Sequence, residues 1–126
     1  MHMHERLKDR FPITVCPGVT GMSGCWTAAV QPMTWGDDVL TVLPGTLPAS
    51  ALAARIAGCD AAVIMKLGRN LAKVRGVLEA AGLVERAIYV ERGTMADEVV
   101  MPLAEKTGDA APYFSMILVP GRGRRP

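Results

Sequence analysis

At 126 residues, 50% apolar and 21% charged, the chain has the size and make-up of one soluble globular domain. Aromatic residues make up only 5%, so the core must be built from Val, Leu, Ile, Ala and Met. A net charge of +2 gives no reason to expect nucleic acid or an anionic membrane as partner, and no apolar run reaches the ~20 residues that span a bilayer.

The opening MHMHERLKDRFP has charge but no apolar h-region, which argues against a signal peptide and for a cytoplasmic protein. His2 and His4 are the only histidines and supply too few ligands for a metal site, so no metal is expected. Cys16, Cys25 and Cys59 form no CxxC pair, and the odd count suggests reduced, buried thiols.

PITVCPG, residues 12–18, reads as a short apolar strand stopped by Pro-Gly. VTGMSGCWTAAV follows with Met22, Trp26 and Ala29 at helical spacing, despite Gly21 and Gly24. A β-branched strand is expected from Asp38 to Leu43, turned by Pro44-Gly45. PASALAARIAG reads as a short helix with Pro48 near its first turn, Gly58 past its end, and Leu52, Ala53 and Ile56 on one face. AAVIMKL is continuously apolar, as in a strand covered on both faces.

The clearest helix is NLAKVRGVLEAAG. Asn70 is placed to cap it, Leu71, Val74, Val77, Leu78 and Ala81 form the buried stripe, Lys73, Arg75 and Glu79 take the wet face, and Gly82 ends it. RAIYVER, DEVVMPLAEK and PYFSMILVPG are further strands, with Pro102 assigning the second of them to an edge or a bulge. The tail Arg122, Arg124, Arg125 reads as a solvated end. The order β-α-β-α-β-α-β-β-β predicts an α/β domain: a five-stranded mixed sheet flanked by helices.

Familiar catalytic signatures are missing. The chain has no GxGxxG or GxxxxGK[ST] phosphate loop and no GxSxG elbow. Both histidines are terminal, so no Cys/His pair suits nucleophilic catalysis. The carboxylate pairs Asp37-Asp38 and Asp97-Glu98 are adjacent in the chain, which does not place them together in a cleft.

The blocks PGVTGMSGCWTAA, GDDVLTVLPGTLP, VIMKLGRNLAKVR, YVERGTM and PYFSMILV, in that order, resemble the C-terminal half of the tetrapyrrole (corrin/porphyrin) methylase family, in its precorrin-2 C(20)-methyltransferase branch. VIMKLGRNL and VERGTM carry most of the discrimination. The resemblance implies S-adenosyl-L-methionine as methyl donor and precorrin-2 as tetrapyrrole acceptor, methylated at carbon 20 to precorrin-3A in cobalamin biosynthesis. It also implies two α/β domains around one cofactor cleft. No Gly-rich loop of the N-terminal domain precedes Phe11, so the expected division is residues 1–17 as a remnant of that domain and its linker, and 18–126 as the C-terminal methylase domain. The missing N-terminal methylase domain then becomes an expected partner, with a homodimer as a further one, and the half is expected to be inactive alone. CPGVTGMSGCW, with Cys16, Met22 and Trp26, is the expected facing surface. The alternative is a stand-alone α/β binding or interaction module that keeps the fold without catalysis.

Carried over residue by residue, the resemblance assigns Met65, Gly93 and Thr94 to the cofactor and no residue to catalysis. A core strand position for Met65 and a turn glycine with φ > 0 for Gly93 are the alternative readings. Lys66, Arg69 and Arg92 follow the same strand ends and would suit substrate carboxylates; a solvated rim or a helix-cap role is the alternative. Methyl transfer needs no protein nucleophile, since alignment of donor and acceptor supplies much of the rate.

Overall fold

The computed structural model describes residues 2–123. Two apolar runs set its centre. In Ala61–Met65 (β2) every residue but the last is buried, and in Ser115–Val119 (β5) every residue is buried. Such runs need cover on both faces and neighbours on both edges. Leu40–Pro44 (β1) runs parallel to β2, with Val42 opposite Val63. β5 runs antiparallel to β2, pairing Leu118 with Val63, and antiparallel to Ile88–Glu91 (β3), pairing Ile117 with Tyr89. Val99–Pro102 (β4) pairs with β3 alone. The result is the expected five-stranded mixed sheet, in the order β1-β2-β5-β3-β4. β4 is an edge strand, which accommodates Pro102 and its missing N–H.

Strand alternation sends neighbouring residues to opposite faces, and each face has its own helical cover. Ala62, Ile64, Tyr89, Ile117 and Val119 pack with Leu52 and Ile56 of Ala49–Ile56 (α3) and with Leu71, Val74, Val77 and Leu78 of Leu71–Ala80 (α4). Val63, Val90, Met116 and Leu118 pack with Cys25 and Trp26 of Gly21–Ala28 (α2). Thr20 caps α2, its Oγ1 accepting from Ser23 N–H at 3.2 Å. A further short helix, His2–Leu7 (α1), buries nothing and contains both histidines.

Several expectations need correction. Residues 12–18 are not a strand. Among the described residues none of 12–19 forms a backbone–backbone hydrogen bond, and every one of them is exposed. A strand requires a partner edge; none runs alongside, and Pro12 and Pro17 lack the N–H to use one. Trp26 is turned into the second core at 2% exposure, so it is not part of an open surface. Cys25 is buried and Cys59 half-buried, but Cys16 is exposed.

Ala53 is exposed, one step around α3 from the Leu52–Ile56 stripe, and Ala81 is exposed beyond the end of α4. Asn70 does not cap α4. It closes a 3-10 turn, Gly68–Asn70, so its own backbone is already helical; its side chain instead donates to Lys66 C=O at 3.3 Å. Lys73 and Arg75 are half-buried and fasten loops, through Leu47 C=O at 2.6 Å and Gly108 C=O at 3.0 Å. In the tail, Arg122 is exposed, while Arg124 and Arg125 lie outside the described residues.

Candidate functional site

β2 and β3 run in the same direction and flank β5, which runs against both. The carboxyl ends of β2 and β3 and the amino end of β5 therefore meet at one end of the sheet, where open α/β sheets bind ligands. The chain leaves both strands by an unusual backbone. Lys66, immediately after β2, has φ 57°, and Arg92, immediately after β3, has φ 51°. Left-handed backbone at side chains of this size is uncommon and concentrates at functional sites.

These turns are pinned by their neighbours. Gly45, after β1, donates its N–H to Met65 C=O at 2.6 Å. A Cβ on Gly45 would sit 3.1 Å from that oxygen and 3.2 Å from Lys66 O, which accounts for glycine in the VLPG turn. After β3, Arg92 N–H donates to Phe114 C=O at 2.8 Å, and Met95 N–H returns to Arg92 C=O at 2.9 Å. Thr94 N–H donates to a Glu98 carboxylate oxygen.

A cavity of about 650 Å³ opens between these strand ends and the start of α2. That is within the roughly 300–1,000 Å³ of small-molecule sites. Its apolar part comes from Met65, Leu67, Met95, Tyr113, Phe114 and Met116, and its charged part from Lys66, Arg69 and Arg92. No carboxylate lines it among the described residues. The lining therefore suits a ligand with an apolar body and anionic groups.

Five of the six residues singled out from the sequence, Met65, Lys66, Arg69, Arg92 and Gly93, line this one cavity. Thr94 does not line it; its Cγ2 lies 3.3 Å from where a Cβ on Gly24 would stand, so it lies against α2. Gly93 is not left-handed, which corrects the φ > 0 reading; the left-handed residues are its neighbours Arg92 and Thr94. Gly93 is glycine because of close approach. A Cβ there would meet Cys25 Sγ at 2.7 Å and Cys25 Cα at 3.2 Å, so it would point at α2 and not into the cavity.

Arg92 is held on both sides, by Glu91 at 2.5 Å and Asp97 at 3.1 Å, whereas Lys66 and Arg69 form no ion pair among the described residues. Tyr89 O–H donates to the same Glu91 carboxylate at 2.8 Å. Burial raises the Tyr89 phenol's pKa, and the Glu91 hydrogen bond and charge add to it. Cys25 also lines the cavity. Burial pushes its thiol pKa up, a hydrogen bond from the Gly93 backbone opposes that, and Glu98 adds to the rise. The net rise favours the protonated thiol over the nucleophilic thiolate. The lining can bind and orient a ligand; among the described residues it offers neither histidine nor carboxylate for proton transfer.

Sequence reasoning missed Met95, Tyr113, Phe114 and Met116. The last three read in the sequence only as part of a strand, and the available cue is that Tyr113 and Phe114 immediately precede the buried run of β5.

A family model for the tetrapyrrole (corrin/porphyrin) methylases matches residues 1–107. The chain belongs to this family. Among curated methylases, a precorrin-2 C(20)-methyltransferase from Sinorhizobium sp is 56% identical over 126 residues, which is 100% of this chain and 51% of that protein. The chain thus spans about half the length of the methylase it matches. Among solved structures, cobalt precorrin-4 methyltransferase superposes with a TM-score of 0.71 at 19% identity, over 94% of this chain and 56% of that one. Uroporphyrin-III C-methyl transferase from Thermus thermophilus, complexed with S-adenyl homocysteine, does so with a TM-score of 0.59 at 24% identity, over 89% and 54%. At such identities the likeness establishes the methylase fold.

Proposed function

We propose that the chain is the C-terminal domain of a cytoplasmic, S-adenosyl-L-methionine-dependent methyltransferase that converts precorrin-2 to precorrin-3A by methylating carbon 20. The observation that carries this is the 56% identity, unbroken in coverage across all 126 residues, to a precorrin-2 C(20)-methyltransferase. Residues 18–126 form the methylase domain. Residues 1–17, which contribute no buried side chain among those described, form the link to an N-terminal partner half.

Met65 and Gly93 would hold the cofactor at the strand ends, which fits a cavity of small-molecule size with an apolar floor. Thr94 would support the turn around Gly93 instead of touching the cofactor, given its position against Gly24. Bound there, the cofactor supplies the methyl group; the chain's own residues supply alignment and exclude water. Lys66 and Arg69 would receive acceptor carboxylates, and Arg92 would do so only in competition with Glu91 and Asp97.

The test is reconstitution with the N-terminal half of the Sinorhizobium relative, followed by methyl transfer from labelled S-adenosyl-L-methionine to precorrin-2. The pair transfers methyl and the chain alone does not. In the pair, Arg69→Ala raises the KM for precorrin-2 while leaving cofactor affinity in place. A pair without activity, or a fully active lone chain, overturns the reading.

A further inference from the structure

Tyr113 and Phe114 line the cavity with 87% and 60% of their surfaces exposed. Their rings meet edge to face, with centroids 5.1 Å apart and planes at 84°, so each limits the freedom of the other. The backbone beneath them is tied on both sides. Phe114 C=O accepts from Arg92 N–H at 2.8 Å, and Pro112 C=O accepts from Ser115 Oγ at 2.7 Å. Ser115 itself is buried at the start of β5. Two large rings are thus presented to water from a rigid base, which packing of this chain does not require.

Charge narrows the ligand. Lys66 and Arg69 line the same cavity, among the described residues neither forms an ion pair, and no carboxylate lines it. Rings that share a cavity with cations match a broad conjugated body edged with carboxylates better than they match a purine, which has no anionic edge. We propose that Tyr113 and Phe114 form an aromatic platform against the face of the acceptor, a polycarboxylate tetrapyrrole, and select for that class of substrate. The proposal rests on the methyltransferase reading above and deepens it.

The probe is uroporphyrin III, an octacarboxylate porphyrin, titrated into the chain and followed by its absorption band and by quenching of protein fluorescence. The Tyr113→Ala/Phe114→Ala variant binds about tenfold more weakly or worse, because ring-on-ring contact is lost. Tyr113→Phe keeps the affinity, since the ring and not the hydroxyl makes the contact. Both side chains are exposed, so melting curves of all variants coincide with that of the parent chain. S-adenosyl homocysteine, titrated in the presence of the N-terminal half, binds parent and double variant alike. Equal porphyrin binding by the double variant, or no porphyrin binding by the parent chain, overturns the platform. Loss of S-adenosyl homocysteine binding instead makes the rings a cofactor contact and overturns it as well. Methyl transfer by the reconstituted pair is read separately, so the methyltransferase reading stands or falls on its own.

Discussion

A methyl group on Gly93 would stand 2.7 Å from Cys25 Sγ and 3.2 Å from Val90 Cγ1. The sequence suggests glycine at this position as a turn former, and the strand-end turn is real, but the residue's φ is not positive. The strain falls on Arg92 and Thr94, at φ 51° and 67°, each in a region that side chains of their kind avoid. Gly93 matters for what it leaves out, a side chain between β3 and α2. Gly93→Ala should therefore destabilise the domain by about 1–3 kcal/mol, the usual range for overpacking a close contact. Replacing Cys25 by Ala in the same chain should recover part of that loss, since the nearest clashing atom is gone. Denaturant unfolding of the two single variants and the double variant measures both quantities. A Gly93→Ala change within ±0.5 kcal/mol, the range of ordinary surface substitutions, would rule out the close packing of this turn on α2.

α4 is the element where sequence and packing agree best. Leu71, Val74 and Leu78 are each 0% exposed and Val77 is 8%, all against the sheet face formed by Ile64, Tyr89 and Ile117. Leu78→Ala should cost ~2–5 kcal/mol, read as a lowered denaturation midpoint with unchanged slope; a shift no larger than surface substitutions give would remove Leu78 from the core. Periodicity made this helix legible, and continuous apolarity did the same for β2 and β5. It could not reveal that residues 12–18 lack a partner strand, because pairing is a property of the whole sheet. Nor could it tell that Asn70 lies inside a 3-10 turn, since Asn is at home both as a cap and in turns. The cavity was half legible. Lys66, Arg69 and Arg92 follow strand ends and were found from that, but Tyr113 and Phe114 reach it only because β5 runs antiparallel between β2 and β3, a topology that no local pattern encodes.

On the scale of the molecule, exposed apolar side chains occur in several places, and two groups of them bear on the site. Phe11, Val15 and Val19 are 54%, 57% and 86% exposed on or beside residues 12–19, which form no backbone–backbone hydrogen bond among the described residues, and Met95, Tyr113 and Phe114 are 48%, 87% and 60% exposed at the cavity. Of the expected contact block CPGVTGMSGCW, Trp26 is committed to the core at 2% exposure, while Cys16 and Val19 are exposed, and the exposed segment extends upstream to Phe11. Monomeric domains seldom leave contiguous apolar surface open to water. The matched methylase is about twice as long, and an N-terminal half is the proposed cover of residues 11–19, the rings at the cavity being assigned to the acceptor. Without it, the chain should self-associate as its concentration rises; with it, the pair should run as a single 1:1 species and melt higher, because a partner that binds only the folded state stabilises it by mass action. Light scattering across a concentration series, repeated with the N-terminal half present, measures this directly. Phe11→Ser/Val15→Ser in the chain should reduce the self-association and weaken the pairing together, since both use the same side chains. A monodisperse monomer at high concentration, or a variant that pairs as well as the parent, would place the partner-facing surface elsewhere on the domain.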